Sequence, residues 1–316
     1  MAPVTIAVVS WNTRELLVAC LRSLEPEARS GRAAVVVVDN GSADGSAQAA
    51  RAAAPWAEVL EAGRNLGFGT AVNLVAGRST GEWLAIANAD VAVEPGALAA
   101  LLDRCAGDPG IGAAAPRLTL PDASTQHSVG PLPTVMLALA FTLGLQRLIP
   151  GLGDRLCLEG YWNPERPREV PWAIGAFQLL RRSAFDAVGG FDERQWMYAE
   201  DLDLGWRLRD AGWTTRYEPA ARVRHAASAA TAVAFGEQRV GRFTRATYAV
   251  ILRRRGPVRA WTTAAINLVG AGARVAWMTP LAVVDRRWRG RRRECLGWLA
   301  AHRQGLRSPA ALARQA

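Results

Sequence analysis

Over the first 120 residues, apolar runs of strand length alternate with stretches of helical period. Strand Val4–Ser10 leads to helix Arg14–Leu24, strand Ala33–Asp39 to helix Ser46–Ala54, and strand Trp83–Asn88 to helix Pro95–Cys105. A short strand at Glu58–Glu61 precedes helix Thr70–Ala76, and Ile111–Leu118 is a further strand. Pro95 is read as a first helical residue, where a missing N–H is tolerated. The unbroken Val35-Val36-Val37-Val38 run predicts a strand buried on both faces, as in a parallel sheet. Such alternation predicts an α/β domain with right-handed crossovers. Residues 119–168 are less regular and carry Pro121, Pro131, Pro133, Pro150, Pro164 and Pro167. Within them Thr134–Leu148 reads as one apolar helix, too short to span a bilayer. A strand at Trp172–Leu180 follows. Leu204, Leu208 and Ala211 then recur at i, i+4 and i+7 on one helix face, before a strand at Thr214–Glu218. The division expected is a first domain over residues 1–230 and a tail over 231–316.

Carboxylates fall where these elements end. Val35–Val38 runs into Asp39-Asn40-Gly41-Ser42, and Trp83–Ala87 into Asn88-Ala89-Asp90. Open α/β sheets bind ligands just beyond the carboxyl ends of their strands. Asp90 is thus placed where a hard cation could bridge it to a diphosphate. Asp39 could accept hydrogen bonds from a nucleobase or ribose. The plainer roles stay open: Asn and Asp also end strands in turns, and Asp39 could cap a helix. Glu200, Asp201 and Asp203 cluster at the start of the helix that carries Leu204 and Leu208. The helix dipole favours their charge, so an oriented, ionised carboxylate suited to general-base work is expected there.

Charge separates the two parts. The chain has no Lys, and from Arg239 onward 17 Arg face only Asp285 and Glu294, leaving a net +15. Arg clusters alternate with apolar stretches at Trp261–Val269 and Val275–Val284, and then come Arg286-Arg287-Trp288-Arg289-Gly290-Arg291-Arg292-Arg293. That composition fits a helix lying on an anionic membrane surface better than a nucleic-acid contact. Arg274 interrupts the longest apolar span, which falls short of the ~20 residues a crossing helix needs. The four scattered Cys carry no metal spacing and read as reduced thiols of a cytosolic protein. The opening Met1-Ala2-Pro3-Val4 enters a strand directly, so no signal peptide is expected.

An ordered set of motifs carries a resemblance over about residues 4 to 230. They are Ile6-Ala7-Val8-Val9-Ser10-Trp11-Asn12, Val38-Asp39-Asn40-Gly41-Ser42, Asn65-Leu66-Gly67-Phe68-Gly69 with Asn73, and Asn88-Ala89-Asp90. Then come Gly175-Ala176-Phe177, Arg181-Arg182, Gly189-Gly190-Phe191-Asp192-Glu193, Tyr198, Glu200-Asp201-Leu202-Asp203-Leu204, Arg207 and His225. Together they resemble family 2 glycosyltransferases, in the bacterial rhamnosyltransferase-like branch. The resemblance implies the GT-A nucleotide-diphospho-sugar transferase fold: a Rossmann-like mixed, mostly parallel sheet flanked by helices. Here that fold would carry a basic helical C-terminal appendage.

The resemblance also implies roles. Asp201 would be the general base of an inverting displacement, with Glu200 beside it orienting acceptor or base. Ser10, Asn12, Asp39, Asn65, Gly67, Asn88, Asp90 and Trp172 would line the donor site. Trp172 is equally open to a core role, being one of 12 Trp. Asp90 and His225 would hold Mn²⁺ or Mg²⁺. Asn88 departs from the commoner Asp-x-Asp form, and amide oxygen is the weaker ligand for a hard cation. Gln195-Trp196 replaces residues usually aromatic in relatives. The Gln-x-x-Arg-Trp motif of processive members is absent, so one sugar per encounter is expected. The implied donor is dTDP-rhamnose, with UDP-galactofuranose or another UDP-sugar as the alternative. The partners expected are that donor, a polyprenyl-linked or glycan acceptor of the cell envelope and an anionic membrane, not nucleic acid. The location expected is the cytoplasmic face of the cell membrane. Two rival classes are disfavoured. A nucleotidyltransferase wants a Gly-rich basic loop where Ser10-Trp11-Asn12-Thr13 stands, and a non-catalytic scaffold has no need of both Asp90 and Asp201.

Overall fold

The computed structural model describes residues 3–226 and 239–306. The expected domain boundary near Ala230 lies outside them. The chain forms two compact units. One runs up to Gly130 and resumes from Trp162; the other joins Pro131–Tyr161 to the C-terminal helices.

In the first unit, β1 (Val4–Ser10), α1 (Arg14–Arg29), β2 (Ala33–Asp39), α2 (Ser46–Ala53), β3 (Glu58–Glu61), α3 (Phe68–Ala76) and β4 (Trp83–Asn88) follow the alternating pattern. They continue into β5 (Val91–Val93), α4 (Ala97–Ala106), β6 (Ile111–Thr119) and the two-residue β7 (Val129–Gly130). After the second unit's insertion come β8 (Arg168–Val170), β9 (Trp172–Ala173), β10 (Phe177–Arg181), α8 (Arg182–Ala187), α9 (Glu200–Asp210) and β11 (Thr214–His225). The main sheet has the order β3-β2-β1-β4-β10-β6-β11-β5, with β8 also on β11. β1, β2, β3 and β4 are mutually parallel, β10 is antiparallel to both its neighbours, and β11 is parallel to β6.

Both faces of the parallel strands are covered, as the Val run requires. Ile6, Val8, Val35 and Val37 pack with Leu17 and Leu21 of α1 and Leu98 and Leu101 of α4. Ala7, Val38, Leu84 and Ile86 point the other way, onto Val72 and Val75 of α3 and Leu204 and Leu208 of α9. Successive strand residues alternate faces, so one strand serves two layers.

Some elements differ from the sequence pattern for identifiable reasons. Gly96, at φ 82°, separates Pro95 from α4, so Pro95 is not the first helical residue. The expected strand at 172–180 is two pieces, because the Gly175 N–H bonds a side chain instead of a ladder partner. β11 runs seven residues beyond Glu218. Its register on β6 shifts between Glu218 and Arg222, a bulge that carries the strand on to pair antiparallel with β5. The four cysteines are thiols and form no disulfide.

The second unit contains α5 (Val135–Thr142), α6 (Leu145–Leu148), α7 (Leu152–Arg155), α10 (Arg239–Val284) and α11 (Arg286–Leu306). Gly144, at φ 72°, splits the single apolar helix expected at 134–148. Gly256, at φ 82°, marks a kink in α10, and Pro257 restarts the helix. α10 is continuous through Arg274, which is therefore no break. By length and composition it is long enough to cross a membrane. The Arg274 guanidinium, however, bonds the Phe141 carbonyl oxygen at 2.6 Å and covers the Phe141 ring. Tyr248 Oη of α10 meets His302 Nδ1 of α11 at 2.8 Å. Val258, Trp261, Val269, Trp277, Val283 and Val284 remain exposed on α10.

Candidate active site

The parallel register aligns the strand ends. Ser10 lies beside Asp39, and Val9 beside Asn88. The loops that follow are tied by side chains. Ser42 Oγ accepts from the Asn12 N–H at 2.9 Å, and Asn12 Oδ1 accepts from the Ala43 N–H at 2.8 Å. Asn12 holds a left-handed backbone, φ 51°, to make both contacts. Ser10 Oγ lies 3.0 Å from Thr13 Oγ1. The capping work at α2 goes to Asp44, which accepts from the Ser46 N–H and hydroxyl. Asp39 is left to accept from the Ser42 N–H through Oδ2, while its buried Oδ1 has no hydrogen-bond partner among the described residues. Asn40 is similar: Nδ2 donates to the Gly67 carbonyl, and the buried Oδ1 is unmet. Two unmet buried acceptors side by side are costly unless something brings donors to them.

Asn65 Oδ1 accepts from the Gly67 N–H, shaping the loop into α3. At φ 84° Gly67 has the Trp196 carbonyl oxygen 2.2 Å from where a Cβ would stand, so no other residue fits without movement. The Trp196 indole N–H donates to the Asn65 carbonyl. The two loops are joined again at Asn73, whose amide bonds the Phe191 N–H and carbonyl.

Asn88-Ala89-Asp90 is the turn between β4 and β5. The Asn88 N–H donates to the Ala176 carbonyl and the Ala89 N–H to that of Val9, fixing the turn between β1 and β10. The pairing of β5 with β11 puts His225 opposite Val91 and brings it to Asp90. His225 Nε2 is 3.2 Å from Asp90 Oδ1, with both side chains under 10% exposed at 6% and 8%. His225 Nδ1 is 2.8 Å from Gln126 Oε1. The amide oxygen placed at Nδ1 favours the proton on that nitrogen, which leaves the Nε2 lone pair facing a carboxylate. Two facing lone pairs call for a positive centre between them, so the donor set fits a divalent cation. Among the described residues no third His, Cys, Asp or Glu completes a cage. Such an ion would take its remaining ligands from diphosphate and water, as Mg²⁺ sites commonly do.

Tyr198 and Ala199 take left-handed backbone at φ 63° and 60°, immediately before α9. Consecutive non-glycine residues there are strained, and such strain concentrates at functional positions. Here it turns Glu200 and Asp201 toward the sheet edge. Asp201 Oδ2 accepts from the Gly175 N–H at 2.8 Å and Oδ1 from the Leu202 N–H at 2.7 Å. Glu200 is half-exposed as a residue, but its Oε2 is closed off and unbonded. Burial, reinforced by neighbouring Asp201, pushes the Glu200 carboxyl up to about 8. Burial also raises Asp201, against the pull of its backbone donors. Desolvation thus opposes the helix dipole at both carboxyls, a contribution the helix start alone does not reveal. Asp203, fully buried, instead pairs with Arg207 at 2.8 Å. Arg207 also donates to the Val188 and Gly190 carbonyls, holding the 188–191 loop. Trp172 packs against Gly205 of α9 and lies on Gly130.

The structure thus brings Ser10, Asp39, Asn88, Asp90, Asp201 and His225 to one edge of the sheet, with Asn12, Asn65 and Gly67 in the loops beyond it. Gln126 escapes sequence reasoning altogether, since it stands 99 residues from His225 in a stretch without periodicity.

Residues 5–189 match the profile described as Glycosyl transferase family 2, and residues 165–288 match Glycosyl transferase family group 2. An N-acetylglucosaminyl-diphospho-decaprenol L-rhamnosyltransferase of Mycobacterium tuberculosis is 39% identical over 206 residues, which are 60% of this chain and 66% of that protein. The chain thus spans just under two thirds of that relative. The Escherichia coli rhamnosyltransferase WbbL is 47% identical over 56 residues, 18% of this chain and 21% of that one. Among solved structures, a Pyrobaculum calidifontis mannosyltransferase in complex with GDP-Man and Mn²⁺ aligns with a TM-score of 0.61 at 19% identity, covering 97% of this chain and 88% of its own. GalNAc-T7 with UDP, GalNAc and Mn²⁺ aligns with a TM-score of 0.53 at 16% identity, over 70% and 42%. At these identities the structural likeness speaks for the fold, which is GT-A.

Proposed function

As the chain belongs to glycosyl transferase family 2, we propose that it moves one sugar, with inversion, from a nucleoside-diphosphate donor to a lipid-linked glycan acceptor. The donor read here is dTDP-rhamnose and the acceptor an N-acetylglucosaminyl-diphospho-polyprenol. The name of the 39% identical relative supports the rhamnosyl group and the acceptor, and the choice of dTDP as its carrier is part of the proposal. The observation that carries the reading is the convergence of a carboxylate–imidazole pair, Asp90 with His225, and a carboxyl pair, Glu200 with Asp201, on one strand-end edge.

The roles follow from chemistry. The unmet oxygens of Asp39 and Asn40 are suited to donors on the nucleoside. A divalent cation bound by Asp90 and His225 supplies charge neutralisation for the leaving diphosphate. Asp201 Oδ2 takes the proton of the acceptor hydroxyl as its oxygen bonds the anomeric carbon and the carbon–phosphate-oxygen bond breaks. Its raised affinity for a proton makes it a stronger base than an ordinary carboxylate. Glu200, whose burial raises its affinity for a proton, stands beside Asp201 to orient acceptor or base. The Gly175 N–H keeps Asp201 aimed.

The test is incubation of the full chain with synthetic N-acetylglucosaminyl-diphospho-lipid and a panel holding dTDP-rhamnose and UDP-galactofuranose. Rhamnose transfer with release of dTDP is expected. Release of pyrophosphate, or of nothing from any donor, overturns the assignment.

The second unit is read as a peripheral membrane dock on the cytoplasmic face. Its exposed Val258, Trp261 and Trp277 and its Arg clusters suit an anionic bilayer surface. Arg274, engaged with Phe141, favours lying on the surface over crossing it. Flotation with anionic vesicles is expected to exceed that with neutral ones and to weaken in salt. Equal flotation with both vesicle types removes the electrostatic part of the reading.

A further inference from the structure

Gln126 stands outside every motif in the chain, yet three features fix it beside His225. The β6 strand ends at Thr119, which pairs with Arg224, the residue before His225. A tight turn then reverses the chain: the Leu120 N–H donates to the Ser124 carbonyl, and Thr119 bridges Thr125. On the return, the Gln126 N–H donates to the Leu118 carbonyl and the Ser128 carbonyl accepts from the Ile174 N–H. The backbone on both sides of Gln126 is therefore pinned, and its amide has little freedom to leave the imidazole.

We propose that Gln126 is a positioning residue: its Oε1, 2.8 Å from His225 Nδ1, holds the proton on that nitrogen so that Nε2 offers its lone pair beside Asp90 to a divalent cation. This rests on the reading that Asp90 and His225 hold the ion. The physical argument is tautomeric. A neutral imidazole has one proton, and the partner of one nitrogen decides the function of the other. Without an acceptor at Nδ1, the proton can sit on Nε2, where Asp90 Oδ1 would accept it. That tautomer satisfies the carboxylate and blocks the metal. Outer partners of ligating histidines commonly contribute about 10–100-fold in metal affinity.

Mn²⁺ binding to the full chain with dTDP present, followed by the electron paramagnetic resonance of free Mn²⁺, separates the possibilities. Q126L is expected to weaken binding by about tenfold or more. Q126E, whose oxygens can only accept, is expected to retain it, and D90A to lose it. Long-range ¹H–¹⁵N correlations report the tautomer independently of folding losses. The chain has only three His, so His225 can be resolved. Its neutral ring is expected as the Nδ1–H form in wild type and Q126E and as a mixture in Q126L. Wild-type affinity in Q126L, with binding lost in D90A, overturns the role of Gln126 and leaves the metal site standing. Wild-type affinity in D90A overturns the metal site itself. Loss of binding in Q126E, or an Nε2–H ring in wild type, shows that the amide donates to the histidine and also defeats the proposal.

Discussion

Ser10, Asp39 and Asn88 reach the sheet edge on adjacent parallel strands in unbroken register, whereas Asp201 and His225 reach it through interruptions. Asp201 depends on two left-handed residues before α9 and on a glycine N–H withdrawn from a strand. His225 depends on a register shift in β11. The first region is held by strand packing, with each residue set by its place in a ladder. The second is held by specific polar contacts and strained backbone. The difference predicts that substitutions should act locally in the first region and spread in the second.

Asp90 and His225 join the two regions, and breaking that seam should have the largest effect. D90A is expected to abolish transfer, and excess chelator to do the same to wild type. Transfer assays with and without Mn²⁺ check both. Next is the strut beneath the second region. R207A removes the ion-pair partner of buried Asp203 and frees the Val188 and Gly190 carbonyls. A loss of about 3–5 kcal/mol in urea unfolding is expected, the usual cost of removing one partner of a buried pair. Smaller, but confined to chemistry, is D201N. Turnover should fall at least ~10²-fold with donor affinity intact, as for a lost general base.

The smallest effect sharpens the electrostatic side. Burial raises Glu200, so the folded chain keeps a proton that the unfolded chain releases above its ordinary value of 4.5. That stabilisation is complete below about pH 4.5 and is lost as pH rises to about 8. In melting curves without added metal or donor, E200Q should show a shallower decline across that window than wild type.

The same division decides what could be read from the residues. The bounds of β1, β2 and β4 match the apolar runs, because strands buried on both faces tolerate few polar interruptions, whereas β3 is a short, partly exposed edge strand. The polar residues that end or follow the runs of β2 and β4, Asp39 and Asn88 with Asp90, are legible in the sequence. The sequence is silent where one residue serves a distant partner. Gly175 looks like a residue inside a strand until Asp201 claims its N–H. The raised proton affinity of Glu200 has no local signature, because burial depends on what packs around α9 and not on the helix start. Gln126 has no local signature, for its role comes from a turn folding back beside a strand end.

The bulge in β11 has a consequence for how this chain can change length. Glu218 pairs with Pro116 and Arg222 with the next residue, Arg117, so residues 219–221 form an excursion with nothing opposite. Its last residue, Ala221, faces inward, as do Val223 and His225 beyond it, and Arg222 and Arg224 face solvent. Side chains alternate along a strand, so the excursion sets which parity points in. Removing or adding one residue there would present Arg224 to Asp90 and turn His225 outward. Changing the length by two would restore the facing. The loop should therefore admit insertions in even steps and reject odd ones, a counting rule imposed by strand parity alone.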